Sequence, residues 1–120
     1  MVPASAGCIA RPENTLAAFT FALATGVTTL ETDLAVTKDG VLVISHDPFL
    51  NPDLVREPDG RWLATRGLPI HSLTRAELER YDIGRLDPAT AYARSLPEQQ
   101  PEDGQRFPTL EQLFALVKAA

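Results

Sequence analysis

Residues 11–50 read RPENTLAAFTFALATGVTTLETDLAVTKDGVLVISHDPFL, and the fold follows from how this stretch divides. After Pro12-Glu13 come two candidate caps, Asn14 and Thr15, and then the apolar, alanine-rich run Leu16 to Leu23. Asn14 or Thr15 can accept a hydrogen bond from an unpaired amide of the first turn. Gly26 can close the helix in the left-handed conformation. A helix is predicted from about 15 to 25. From Val27 to Val36, Leu30, Thr32, Leu34 and Val36 alternate with Thr29, Glu31, Asp33 and Ala35. That is the period of a strand, and it puts Glu31 and Asp33 on one face. Lys38-Asp39-Gly40 signals a turn. Val41-Leu42-Val43-Ile44-Ser45-His46 reads as a buried strand, and the strands read as members of a parallel sheet.

From Asp47 to Arg106 the character changes. Seven of the ten prolines lie here, with the turn signals Asp59-Gly60 and Asp103-Gly104. One helix is predicted inside it, Arg75 to about Tyr81, capped by Thr74 with Glu77 three residues on. A structureless loop of this length is uncommon in a compact domain, so an ordered insertion or lid is expected, with Trp62 anchoring it to the core. Pro108-Thr109 opens a last helix, Leu110 to about Lys118, with Thr109 and Gln112 as a second capping box and Leu110, Leu113, Phe114 and Val117 as its apolar stripe. The order helix, strand, turn, strand, insertion, helix is that of an α/β chain.

The 120 residues suffice for one small domain. Net charge is −5, with no basic cluster, which argues against nucleic-acid binding. No apolar stretch approaches the ~20 residues of a membrane helix. The single cysteine, Cys8, allows no internal disulfide, and Ser5-Ala6-Gly7-Cys8 lacks the basic and apolar segments that a lipoprotein signal needs. No signal peptide is read, and the compartment stays open. There is no GxSxG, Walker A or paired-cysteine motif.

Glu31 and Asp33 are candidate oxygen ligands of a hard cation such as Mg²⁺ or Ca²⁺, a cation suited to phosphate-ester chemistry. Alternation alone also produces such pairs on the solvent side of an edge strand. His46, at a strand end, is either a general acid or base or a half-buried histidine paired with its neighbouring acid. His71 reads as surface or structural, and Thr37 with Asp39-Gly40 as shaping the hairpin.

The combination PENT-Leu-Ala-Ala-Phe, Glu-x-Asp, Thr-x-Asp-Gly and His-Asp resembles the N-terminal part of the glycerophosphodiester phosphodiesterase family. The resemblance continues through NPD, DGRW, SLT-x-AEL, RYD-x-GR, QQP-x-DG and PTL-x-QLF up to residue 116. It implies a (β/α)₈ barrel of the PLC-like phosphodiesterase type, here incomplete: residues 11–50 as its start, 51–106 as an insertion and 107–120 as a barrel helix. A full barrel takes about 250 residues. It implies metal-assisted hydrolysis of a glycerophosphodiester to glycerol 3-phosphate and an alcohol. By the same resemblance Glu31 and Asp33 match two metal ligands, binding a divalent cation weakly, and His46 matches the second of two catalytic histidines. The family's opening His-Arg-Gly triplet falls at Ala4, Ser5 and Ala6, and its third metal-binding glutamate, with a nearby lysine, falls beyond Ala120. The resemblance therefore implies a small-molecule substrate and low activity in these 120 residues. In an incomplete barrel, buried strands such as Val41–Ile44 would expose apolar edges, so self-association or a partly molten state is expected. The other readings are a noncatalytic cation- or phosphate-binding module, or a half-barrel completed by a second chain. Relatives are often exported.

Overall fold

The computed structural model describes residues 2–3, 11–26, 30–63 and 67–119, with the side chains of Val2, Pro3, Leu30 and Glu31 outside the description. The expectations for Ala4, Ser5, Ala6 and Cys8, and for a strand starting at Val27, fall outside the described residues.

The chain opens with a βαβ unit. Strand β1 (Val2–Pro3) pairs in parallel with β2 (Leu30–Glu31), and helix α1 (Leu16–Ala24) connects them. Parallel neighbours need such a crossover. Thr15 is the cap of α1: its hydroxyl accepts from the Ala18 amide at 3.0 Å and donates to the Pro12 carbonyl at 2.7 Å. Asn14 takes φ 54°, a left-handed turn that asparagine tolerates better than most residues. Gly26, at φ 88°, ends the helix as expected.

The strand beyond Leu30 is not continuous. Its pairing changes at Thr32–Asp33, and β3 (Leu34–Val36) belongs to a different sheet, antiparallel with β4 (Leu42–Ile44). The expectation that Val41–Ile44 joins a parallel sheet is thereby corrected. Only a few residues separate β3 from β4, and a connection so short can only turn the chain back on itself. Thr37 shapes the turn: its hydroxyl donates to Asp39 and accepts from the Val41 amide at 3.0 Å. Asp39 does more than shape the turn, since its Oδ1 also accepts from the Arg75 amide at 3.0 Å.

The described residues of the segment 51–106 share a core with the hairpin. Val43 packs with Leu50, Val55, Ile70, Leu73, Leu78, Ile83 and Phe107. Helix α2 (Arg75–Leu78) has the Thr74–Glu77 capping box and is shorter than predicted, ending at Leu78 rather than near Tyr81. A further helix, α3 (Ala91–Ser95), was not predicted; the Thr90 hydroxyl caps it by accepting from the Ala93 amide at 3.2 Å. Gly84 is required by a close approach: a β-carbon there would lie 1.9 Å from the Glu102 carbonyl oxygen. Trp62 is half-buried outside the core cluster, with the Arg56 guanidinium 5.5 Å from its ring centroid. Its indole serves that cation rather than the core.

A second cluster forms where Ile44 meets Phe19 of α1 and Leu113 of α4 (Leu110–Ala119). The Thr109–Gln112 capping box is present, with both hydrogen bonds at 3.0 Å. The predicted apolar stripe of α4 is only partly used. Leu113 is buried and Leu116 packs against the cluster, whereas Phe114 is 64% and Val117 44% exposed. Among the described residues no helix is long and apolar enough to cross a membrane.

Candidate functional site

The ends of two strands and one loop meet where β2 hands over to β3. Glu31 is the last residue of β2, and its carboxylate is outside the description. Asp33 follows just after the change of partner and is exposed. Beyond the last rung of the hairpin, Leu34 opposite Ile44, the Ser45 amide donates to the Asp33 carbonyl at 3.1 Å. This bond ties the backbone that carries the two acidic residues to the backbone that carries His46.

His46 has a side chain 69% exposed, and its Nδ1 lies 3.6 Å from Asp47 Oδ1. That separation is an ion-pair distance, too long for a hydrogen bond. The half-buried histidine that sequence offered as one reading is thereby corrected: the ring stands beside the adjacent acid but is mostly exposed to solvent. Ser45 is buried, and its hydroxyl donates to the Asp47 carbonyl at 2.6 Å.

The loop before α1 forms the other wall. Pro12, Glu13 and Asn14 line a cleft of about 20 Å³ together with His46, Asp47 and Phe49. Such a space is of the order of a single water molecule. The Glu13 carboxylate accepts a hydrogen bond from the Tyr92 hydroxyl of α3. Sequence reading missed this link, because α3 was not predicted and the partners lie 79 residues apart. It also missed Asn51, whose only local signal is its place four residues after Asp47. His71, in a 3₁₀ turn at Ile70–Ser72, is exposed and away from the cleft.

Glu31 and Asp33 carry the side-chain type that could hold a cation. Their donor chemistry fits a hard ion, since carboxylate oxygens suit Mg²⁺ or Ca²⁺. Among the described residues no three His, Cys, Asp or Glu side chains gather into a metal-binding group. The described site thus offers one exposed carboxylate, one exposed imidazole, and a backbone that joins them.

The comparisons with known proteins agree with one another. The model of the glycerophosphoryl diester phosphodiesterase family matches residues 7–120. A glycerophosphodiester phosphodiesterase of Caldanaerobacter subterraneus is 31% identical over 106 residues, covering 88% of this chain and 35% of the relative. A solved chain from Silicibacter pomeroyi, assigned to the glycerophosphoryl diester phosphodiesterases, superposes with a TM-score of 0.90 at 37% identity, over 94% of this chain and 38% of that one. A phosphodiesterase of Oleispira antarctica, solved with its product sn-glycerol-3-phosphate, shares the fold at a TM-score of 0.66 and 23% identity, over 98% of this chain and 43% of its own. The chain therefore spans well under half the length of the relatives it matches.

Proposed function

The chain belongs to the glycerophosphoryl diester phosphodiesterase family, and from that premise we propose that it carries one side of a centre for metal-assisted hydrolysis of glycerophosphodiesters to glycerol 3-phosphate and an alcohol. In this reading Glu31 and Asp33 are oxygen ligands of a divalent cation and His46 is an acid/base group. The observation that supports it is the 3.1 Å hydrogen bond from the Ser45 amide to the Asp33 carbonyl, which ties the backbone of Asp33 to the residue before His46. A bound cation supplies charge neutralisation on the nonbridging phosphate oxygens. The exposed His46 imidazole is free to exchange a proton with a substrate oxygen on the solvent side. Glu13 and Asn14 form the facing wall, and Tyr92 holds Glu13 in place.

The architecture is that of a barrel opening. The parallel β1–β2 pair with its crossover helix is the repeating unit of a (β/α)₈ barrel, and a whole barrel takes about 250 residues. By itself the 120-residue chain is expected to hydrolyse slowly or not at all. It holds one histidine at the site, and a positioned acid or base typically contributes about 10²–10⁴-fold. The rival reading is a noncatalytic cation- or phosphate-binding module.

Titrating the chain with glycerol 3-phosphate in Mg²⁺ or Ca²⁺ tests the placement by NMR. Shifts centred on Asp33, His46 and Glu13, lost in Asp33→Asn, are expected; shifts elsewhere, or none, overturn the site. Release of glycerol 3-phosphate from a glycerophosphodiester separates the two readings. Robust metal-dependent turnover abolished by His46→Asn would overturn the expectation of low activity and the binding-module reading together.

A further inference from the structure

We propose that Asn51 is a positioning residue for His46, acting through Asp47; this rests on the reading of His46 as the acid/base group. The two oxygens of the Asp47 carboxylate have separate partners. Asn51 Nδ2 donates to Oδ2 at 2.9 Å, while Oδ1 lies 3.6 Å from His46 Nδ1. Asp47 is also held at its backbone, where its carbonyl accepts from the buried Ser45 hydroxyl at 2.6 Å. Its side chain is 21% exposed against 69% for the imidazole, so the carboxylate is fixed from the protein side and the ring faces out.

Asn51 is itself pinned. Its Oδ1 accepts from the Asp53 amide at 2.9 Å, and its carbonyl accepts from the Leu54 and Val55 amides at 3.0 Å each. With the carbonyl oxygen of the carboxamide engaged by Asp53, the NH₂ group must be the end that meets Asp47. A tight turn at the start of the insertion thus sets the rotation of the Asp47 carboxylate. That carboxylate in turn favours the His46 tautomer with its proton on Nδ1, leaving the Nε2 lone pair for chemistry. The other acid lining the cleft beside His46 is Glu13, engaged by Tyr92; Asp33 meets this strand end through its carbonyl, bound by the Ser45 amide. At 3.6 Å the carboxylate acts on the ring through its charge, which favours a proton on the nearer nitrogen without a hydrogen bond.

The test is the tautomer of His46 in the full 120-residue chain, read from ring ¹⁵N NMR at a pH where both histidines are neutral. The chain has only two histidines, and exposed His71 is the internal standard. The Nδ1–H share of His46 is expected to exceed that of His71 by about twofold or more. In Asn51→Ser the hydroxyl still accepts from the Asp53 amide but does not reach Asp47, so His46 should move to the ratio of His71. In Asp47→Asn the new carboxamide turns its oxygen to Asn51 and its NH₂ to His46, so the preference should invert to Nε2–H. Asp47→Asn is isosteric and decides the matter alone if Asn51→Ser does not fold. Equal ratios for the two histidines in the parent chain, or an unmoved His46 ratio in a folded variant, overturn the proposal. No substrate is present, so failure of the phosphodiesterase reading and failure of this inference are read in separate experiments.

Discussion

Val43 and Ile44 are adjacent in sequence, both wholly buried, and belong to different cores. Val43 packs into the insertion with Leu50, Ile70 and Phe107, while Ile44 packs between Phe19 and Leu113. Successive side chains of a strand point to opposite faces, so β4 is the wall shared by both clusters. The residue pair sits directly before Ser45 and His46, and the site inherits its position from this wall.

Ile44→Ala should therefore cost about 2–5 kcal/mol. Val43→Ala should cost about 2 kcal/mol, from two methyl groups at about 0.8 kcal/mol each plus a cavity contribution. Against a typical stability of about 5–15 kcal/mol both losses are easily read as shifts in the urea midpoint. A change within about 0.5 kcal/mol for either variant, the range of ordinary surface substitutions, would contradict the shared-wall arrangement.

Divalent cation binding is expected to be weak, with a dissociation constant of about 10⁻⁴–10⁻³ M, because two carboxylates leave most oxygen positions to water. Calorimetry on the chain and on a Glu31→Gln/Asp33→Asn double variant checks this. Equal heats from the two proteins would remove both residues from the proposed cation site.

Acid should weaken the packing of the hairpin turn against α2. Thr37, followed by the Arg75 amide, holds the Asp39 carboxyl below its ordinary 3.8. The capping-box bonds to Thr74 hold Glu77 below 4.5. Both groups bind protons more weakly folded than unfolded, so their contribution is complete above those ordinary values. It is lost as pH falls below about 4 toward the depressed folded values. Urea midpoints at pH 7 and pH 3 should differ by less in Asp39→Asn than in the parent. An identical acid loss in both would show that Asp39 is not a source of it.

Self-association is expected. The apolar surface responsible is not the β4 edge anticipated from the sequence, since Val43 and Ile44 are covered. It is the outer hairpin face, where Leu34 and Val36 are each 47% and Leu42 41% exposed, together with Phe114 at 64%. Exposed patches of this kind favour association. A radius of gyration of 13.6 Å is that of a compact chain of this length. Light scattering should show species above 13.1 kDa that revert toward monomer in Val36→Lys/Phe114→Lys. A monodisperse monomer of the parent chain would overturn this.

The local chemistry was legible in the sequence. Thr15, Thr74 and Thr109 each cap a helix at the place their residue types announced, because a cap needs only a hydroxyl and an amide a few residues apart. The turn at Asp39-Gly40 and the left-handed close at Gly26 were legible for the same reason. So was the family, through short motifs whose order is itself a linear property.

What escaped the sequence depends on partners far along the chain. Nothing in Leu30 to Val36 reveals that the strand changes partner at Thr32–Asp33, because alternation reports a pleat and not its neighbour. The amphipathic stripe of α4 did not say which of its residues would find cover, and Phe114 found none. Glu13 with Tyr92, and Gln105 with the Ala17 amide at 3.3 Å, join segments 79 and 88 residues apart. The sequence by itself determined the caps, the turn at Asp39-Gly40 and the residue types of the site. Tertiary structure alone decided that Asp33 and His46 share one hydrogen-bonded strand end and that Asn51 reaches Asp47, because contacts between distant segments exist only once the shared core has closed.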